Sequence, residues 1–292
     1  MRRRPAHLAR AALLAGLLAL ACRSPEGRLE AANALRHKGD ARGALNGYKA
    51  LLADLGEGPL PEGEAAVRWK ALKFSGDVSY LDLGDYTGAV SYYRRIISLY
   101  PGGKEAHEAR EVIGDIYRDR FNDRLAAIAQ YADVAASDSP DAAKYQLEVA
   151  RQYLELKRYA QARTEARILR ERWPTSDLAD EAQLITGQAW ALEKKDDEAL
   201  GAFRVLVDRR TRPDIAARAL EGEAHIFAQA GKLDRALELY AQALPTHPNP
   251  DAIRTDIEAV RDRRERAKTA KPGDRAAAFD HDKVKPSPRE AP

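Results

Sequence analysis

Read as a sequence alone, this 292-residue chain predicts an all-α fold, a solenoid of about six helix-turn-helix repeats finished by a capping helix. Three observations lead there. An alanine recurs six times at near-constant spacing, and four residues after it stands an aromatic in five of the six copies. Five residues before each alanine lies a turn-forming residue. Twelve residues after it comes a helix-stopping or turn-prone type in five of the six copies. Composition agrees. Hydrophobic residues make up 45% and charged residues 32% of the chain, rich in Ala, Leu, Arg and Glu, a mixture that favours helix. The net charge of +3 is nearly balanced and gives no reason to expect a nucleic-acid partner.

The copies run Ala44-Leu45 to Tyr48, Ala89-Val90 to Tyr93, Ala127-Ile128 to Tyr131, Ala162-Arg163 to Ala166, Ala199-Leu200 to Phe203 and Ala236-Leu237 to Tyr240. The turn residues are Gly39, Gly84, Asn122, Lys157, Lys194 and Gly231. Repeat one is expected as helices near 26–38 and 40–54, followed by a Gly- and Pro-rich loop over 55–63 that lengthens the first spacing to 45. Repeat two is expected near 64–83 and 85–99. Repeats three to six follow near 104–137, 141–172, 176–209 and 213–245. A last helix begins at Asn249-Pro250-Asp251 and runs to about Lys268. It is charged on most faces, with Ile253, Ile257 and Val260 as a thin apolar stripe, which suits a cap.

Packing gives the spacing its reason. Two antiparallel helices approach closely where side chains are small, so Ala89, Ala199, Ala236 and, on first helices, Gly187 are read as contact points. Tyr93, Tyr131, Phe203 and Tyr240 are read as anchors that fill the space between one repeat and the next. On the first helices the small residues are Ala32, Ala150, Gly187 and Ala224. In repeats two and three they are Gly76 and Gly114, one position early, so these repeats carry one extra residue. This pattern resembles the tetratricopeptide repeat, whose unit has a small residue on its first helix, a turn glycine, Ala and Tyr or Phe on its second helix, and a closing Pro. The resemblance covers residues 26–250 and implies a non-catalytic scaffold that binds proteins or peptides in a groove lined by the first helices.

The N-terminus reads as an address. Arg2, Arg3, Arg4 and Arg10 precede an uncharged run from Ala11 to Ala21. As a helix that run rises about 16 Å, too short for a bilayer core of roughly 30 Å, so residues 1–21 read as a signal peptide. Leu18-Ala19-Leu20-Ala21-Cys22 resembles the lipobox of bacterial lipoproteins, with Ala19 where Leu is usual. That resemblance implies cleavage before Cys22, lipidation of its thiol, a short tether over 22–25, and an outer-membrane protein facing the periplasm. Residues 251–268 form the cap and 269–292, rich in proline and mixed charge, are expected to be a disordered tail. With the endings Tyr100-Pro101 and Trp173-Pro174, the chain is similar to the BamD and CpoB group of exported repeat proteins. This implies envelope proteins as partners, as in outer-membrane protein assembly. Service to cell-wall, Tol-Pal or pilus machinery, or a self-associating spacer, is the alternative.

No catalytic constellation, Walker loop or cysteine pair is present, and neither a cofactor nor a metal is expected. Glu221 and His225 stand one helical turn apart, a metal-compatible spacing. Without a second nearby His or any Cys, the plainer reading is a surface pair. The expected partner-binding residues are aromatics on first helices, namely Trp69, Phe74, Tyr80 and Tyr117.

Overall fold

A computed structural model describes residues 24–209 and 212–269. The signal peptide, Cys22 and most of the tail lie outside the described residues. Thirteen helices make up the described residues and no strand occurs among them. They are α1 (Pro25–His37), α2 (Ala41–Leu55), α3 (Glu62–Asp77), α4 (Tyr86–Leu99), α5 (Lys104–Asp119), α6 (Arg124–Ala136), α7 (Ala142–Glu155), α8 (Tyr159–Arg172), α9 (Leu178–Leu192), α10 (Asp196–Arg209), α11 (Pro213–Gln229), α12 (Leu233–Ala243) and α13 (Pro250–Thr269). A π-helical turn, Val78–Asp82, extends α3. Contacts divide the chain into two compact units, residues 1–145 and 146–292.

In the first unit α1 packs on α2, α2 on α3, α3 on α4, α4 on α5 and α5 on α6, and α1 also reaches α3. In the second unit α8 packs on α9, α9 on α10, α10 on α11, α11 on α12 and α12 on the cap α13, and α9 reaches α11. Within each unit the helices pack on their neighbours in sequence, and α1–α3 and α9–α11 add a contact between the first helices of successive repeats. The six repeating alanines, Ala44, Ala89, Ala127, Ala162, Ala199 and Ala236, are all 0% exposed, so each stands at a helix–helix contact.

The aromatic that follows five of the six alanines is buried as well. Tyr93 lies against Gly76 of its own repeat, where an added Cβ would stand 2.7 Å from the ring. Its hydroxyl donates to Asp77 at 2.6 Å. Tyr131 donates in the same way to Asp115 at 2.7 Å, and Tyr48 donates to Asn33. Phe203 is held on two sides, by Gly187 of its own repeat and Gly222 on the first helix of the next. The aromatics therefore pack within a repeat as well as between repeats. Gly76, Gly114 and Gly187 serve the intra-repeat contact, and Gly222 serves the contact to the preceding repeat.

The extra residue of repeat two is absorbed by the π-helical turn, in which the Leu83 amide donates to the Val78 carbonyl at 3.0 Å. Repeat three absorbs its own at the end of α5, where the Phe121 amide reaches the Ile116 carbonyl at 3.2 Å. Gly76 and Gly114 thus occupy the place that Ala32 holds in repeat one, although each is one residue further from its aromatic.

All six turn residues have positive φ, including the non-glycines Asn122 (51°), Lys157 (58°) and Lys194 (62°). The residue after the turn distinguishes the units. In the first unit it is Asp40, Asp85 or Asp123, and each carboxylate caps its helix by accepting from the Gly43, Gly88 or Ala126 amide at 2.8–3.0 Å. In the second unit the same position holds Arg158, Lys195 or Lys232. Arg158 and Lys232 make no side-chain cap, and a cation there opposes the helix dipole. Lys157→Gly combined with Arg158→Asp is therefore expected to stabilise the second unit. The gain is about 1–2 kcal/mol from the cap and the relieved backbone together. Thermal melting followed by circular dichroism reads it, and an unchanged or lower midpoint contradicts this account of the turn.

Candidate functional site

Two first helices and one second helix of the first unit enclose an apolar cleft of about 210 Å³. α3 contributes Trp69 and Lys73, one turn apart. α5 contributes Glu105, Glu108, Ala109 and Val112, which share one helical stripe, and Glu111 beside it. Tyr93 and Ile96 of α4, both buried, form its floor. The volume suits one or two apolar side chains. Three carboxylates and one ammonium surround it, and Lys73 is already paired with Asp77 at 2.9 Å. The rim is therefore acidic.

Burial holds the Glu111 carboxyl above the usual carboxylate range, with Tyr145 and Lys144 offsetting part of that rise. The Tyr145 hydroxyl is in turn pushed well up by its own burial and by Glu111. Tyr145 also stacks on Tyr131 with ring centroids 5.3 Å apart. The packing anchor of repeat three thus props the wall of the cleft.

The four aromatics singled out in the sequence are dispersed over the first unit rather than gathered in this cleft. All four are half-buried. Trp69 lines the cleft. Phe74 packs against Tyr48 at 6.0 Å and lines a different, wider depression with Asn33, Arg36 and Asp82. Tyr80 and Tyr117 belong to a cluster at the turn end of repeats two and three. There Tyr80 meets Tyr86 at 5.9 Å, and Phe121 meets both Tyr86 at 6.3 Å and Tyr117 at 5.6 Å. Arg120 stands over the rings of Tyr80 and Tyr86, and Arg94 donates to the Tyr117 hydroxyl at 2.7 Å.

The reason is helical phase. At roughly 100° per residue, Phe74 is turned about 140° away from Trp69, and Tyr117 about 180° away from Glu108. Membership of a first helix does not by itself place a side chain in this cleft. The residues that line the cleft beside Trp69 are an i, i+3, i+4, i+7 set on α5, Glu105, Glu108, Ala109 and Val112. That spacing is legible in the sequence once α5 is given its bounds.

In the second unit Glu223 is 5% exposed, and its Oε1 has no hydrogen-bond partner among the described residues. Burial raises its carboxyl above the ordinary value, against the pull of Arg204 and Arg235. A raised folded value means that stability is fully present below the unfolded value and is lost as pH rises through the folded one. Glu223→Gln is expected to match the native chain near pH 4 and to exceed it by about 1 kcal/mol at pH 8, where the native chain holds the charge. Denaturant melts at the two pH values test this. A constant gap across pH contradicts it.

Residues 78–143 and 148–215 each match the family model of the tetratricopeptide repeat. No curated protein matches the chain. Among solved structures the chain is similar to a tetratricopeptide repeat protein from Parabacteroides merdae, at 17% identity over 88% of this chain and 98% of that one, with a TM-score of 0.53. It is also similar to the apo form of RapI, at 12% identity over 87% and 79%, with a TM-score of 0.53. At these identities the likeness is one of fold, and the fold is an all-α tetratricopeptide-repeat solenoid.

Proposed function

We propose that this tetratricopeptide-repeat solenoid is a non-catalytic scaffold that binds protein partners. In this reading the cleft between α3 and α5 receives an apolar side chain of an extended or helical segment, flanked by basic residues. The cleft itself carries the proposal. Its floor is apolar, its walls come from the first helices of two successive repeats, and Glu105, Glu108 and Glu111 give its rim the charge that selects a basic flank. A repeat fold supports the binding role, because stacked helix pairs present extended faces without chemistry of their own.

The scaffold is held at the bacterial outer membrane by lipid on Cys22 and faces the periplasm, where it recruits envelope proteins, in a role like that of BamD in outer-membrane protein assembly. The charged N-terminus, the short apolar run and the cysteine that follows it support this address. No described helix is long and apolar enough to cross a membrane. Two covalent acyl chains hold a protein stably to a bilayer.

The binding test places a photocrosslinking amino acid at Val112 and a control at the exposed turn residue Lys157. Capture of a discrete envelope protein from Val112 alone, abolished by Glu108→Lys, is the expected result. Equal capture from both positions, or capture indifferent to Glu108→Lys, rejects the cleft. The anchor is tested separately with a clickable fatty acid. Label on the native chain and none on Cys22→Ser is expected, and equal labelling removes the anchor while leaving the cleft standing.

A further inference from the structure

The second unit brings together a set of metal-compatible side chains that the repeat pattern does not account for. Glu221 and His225 lie one turn apart on α11, and the cap helix α13 sets Asp256 against them. One donor atom from each of the three lies within 4.8 Å of the others. His225 Nε2 is 3.2 Å from Asp256 Oδ2. That is close to the roughly 3.3 Å separating two donors that share one tetrahedral ion at 2.0–2.1 Å.

A fourth group supports the set from outside. The His247 side chain is 6% exposed, and its Nε2 stands 3.2 Å from Glu221 Oε2. Its Nδ1 stands 3.0 Å from both the amide nitrogen and the carbonyl oxygen of Asn249, which holds the ring with Nε2 facing the carboxylate. The second histidine that the linear spacing lacks is thus supplied by the segment between α12 and α13. It orients Glu221 rather than joining the ligand set, the usual outer-shell arrangement around a metal-binding carboxylate. Tyr240 sets its ring edge-on to His225 at 5.6 Å and fixes the imidazole plane. His225 and Asp256 remain partly open to solvent, so water has room to complete the coordination.

We propose that Glu221, His225 and Asp256 bind a single divalent transition-metal ion, with His247 positioning Glu221. One imidazole and two carboxylates suit a borderline cation, and Zn²⁺ is the favoured occupant. Its role is structural. The ion joins α13 to α11 and fastens the cap over the last repeat.

The test uses the full chain carrying Cys22→Ser, which removes the one thiol able to compete, stripped with a chelator and titrated with Zn²⁺ by calorimetry. One equivalent is expected to bind. His225→Ala and Asp256→Asn should each weaken binding at least tenfold, and His247→Ala by roughly 10- to 100-fold. The variants are compared by circular dichroism, and their helical content should equal that of the parent. Bound Zn²⁺ should also raise the thermal midpoint of the parent chain and leave that of His225→Ala unchanged. An absence of saturable binding in the parent chain overturns the proposal. So does affinity that is the same in His225→Ala and Asp256→Asn, which would place the ion elsewhere.

Discussion

Replacing Phe203 by alanine is expected to destabilise the second unit by about 3–5 kcal/mol, toward the upper part of that range. The ring is 1% exposed and rests against Gly187 and Gly222. Neither neighbour has a side chain that can swing into the void, so the cavity persists. A double-mutant cycle makes the argument specific. A Cβ on Gly187 would stand 2.4 Å from the Phe203 ring, so Gly187→Ala alone overpacks the contact, at roughly 1–3 kcal/mol. In a Phe203→Ala background the same change fills space and gains helix propensity, about 1 kcal/mol in the stabilising direction. The effect of Gly187→Ala should therefore change sign between the two backgrounds when measured by denaturant unfolding. Additive effects would mean that the two residues do not share a contact. Repeat four shows the alternative solution. Ala166 faces the first-helix position that Ala150 fills, and both are 0% exposed, so the two helices close without an aromatic.

Arg68→Ala is expected to cost about 2–4 kcal/mol in the first unit, through three lost hydrogen bonds from a charged donor. Arg68 is 5% exposed and forms no ion pair among the described residues. Its guanidinium instead holds the long loop after α2, donating to the Gly56 carbonyl at 3.1 Å, the Gly58 carbonyl at 2.7 Å and the Tyr100 hydroxyl at 3.1 Å. Tyr100 in turn donates to the Ala65 carbonyl at 2.9 Å. One planar fork thus joins the loop, α3 and the end of α4. Arg68→Lys should rescue little, because a single ammonium does not reproduce that geometry. Hydrogen exchange gives the localised readout. The amides of Gly56, Glu57, Gly58 and Leu60 should exchange faster in Arg68→Ala, whereas stability and exchange both unchanged would show that the loop holds itself.

The fold was legible because repetition averages out local ambiguity. The alanines mark helix contacts and the residues five before them mark left-handed turns, even where the turn is a lysine. A single Lys157 would not suggest positive φ, and its place in a row of six does. The π-helical turn at Val78–Asp82 was visible only as a spacing one residue too long. The site was less legible. Trp69 was found because it is aromatic, whereas Glu108 and Val112 are unremarkable until the phase of α5 is known. Tyr80 and Tyr117 stand out by residue type, and their contacts lie in the aromatic cluster at the turn end of repeats two and three. His247 comes to Glu221 from 26 residues away and Asp256 to His225 from 31, a closeness that helical spacing on one element does not reveal.

The neighbour-only packing has a consequence in time. The helix pairs in substantial contact are adjacent in sequence or one helix apart, so no element waits for a distant partner before it is stabilised. Loop closure then costs little, and order can spread from one pair to the next. With only one cysteine, no disulfide within the chain has to be formed in the correct pairing. A chain built this way acquires its structure in the order in which it is delivered, N-terminal repeats first. An arrested or truncated product would keep its earlier pairs folded, with only the last exposed face lacking its cover.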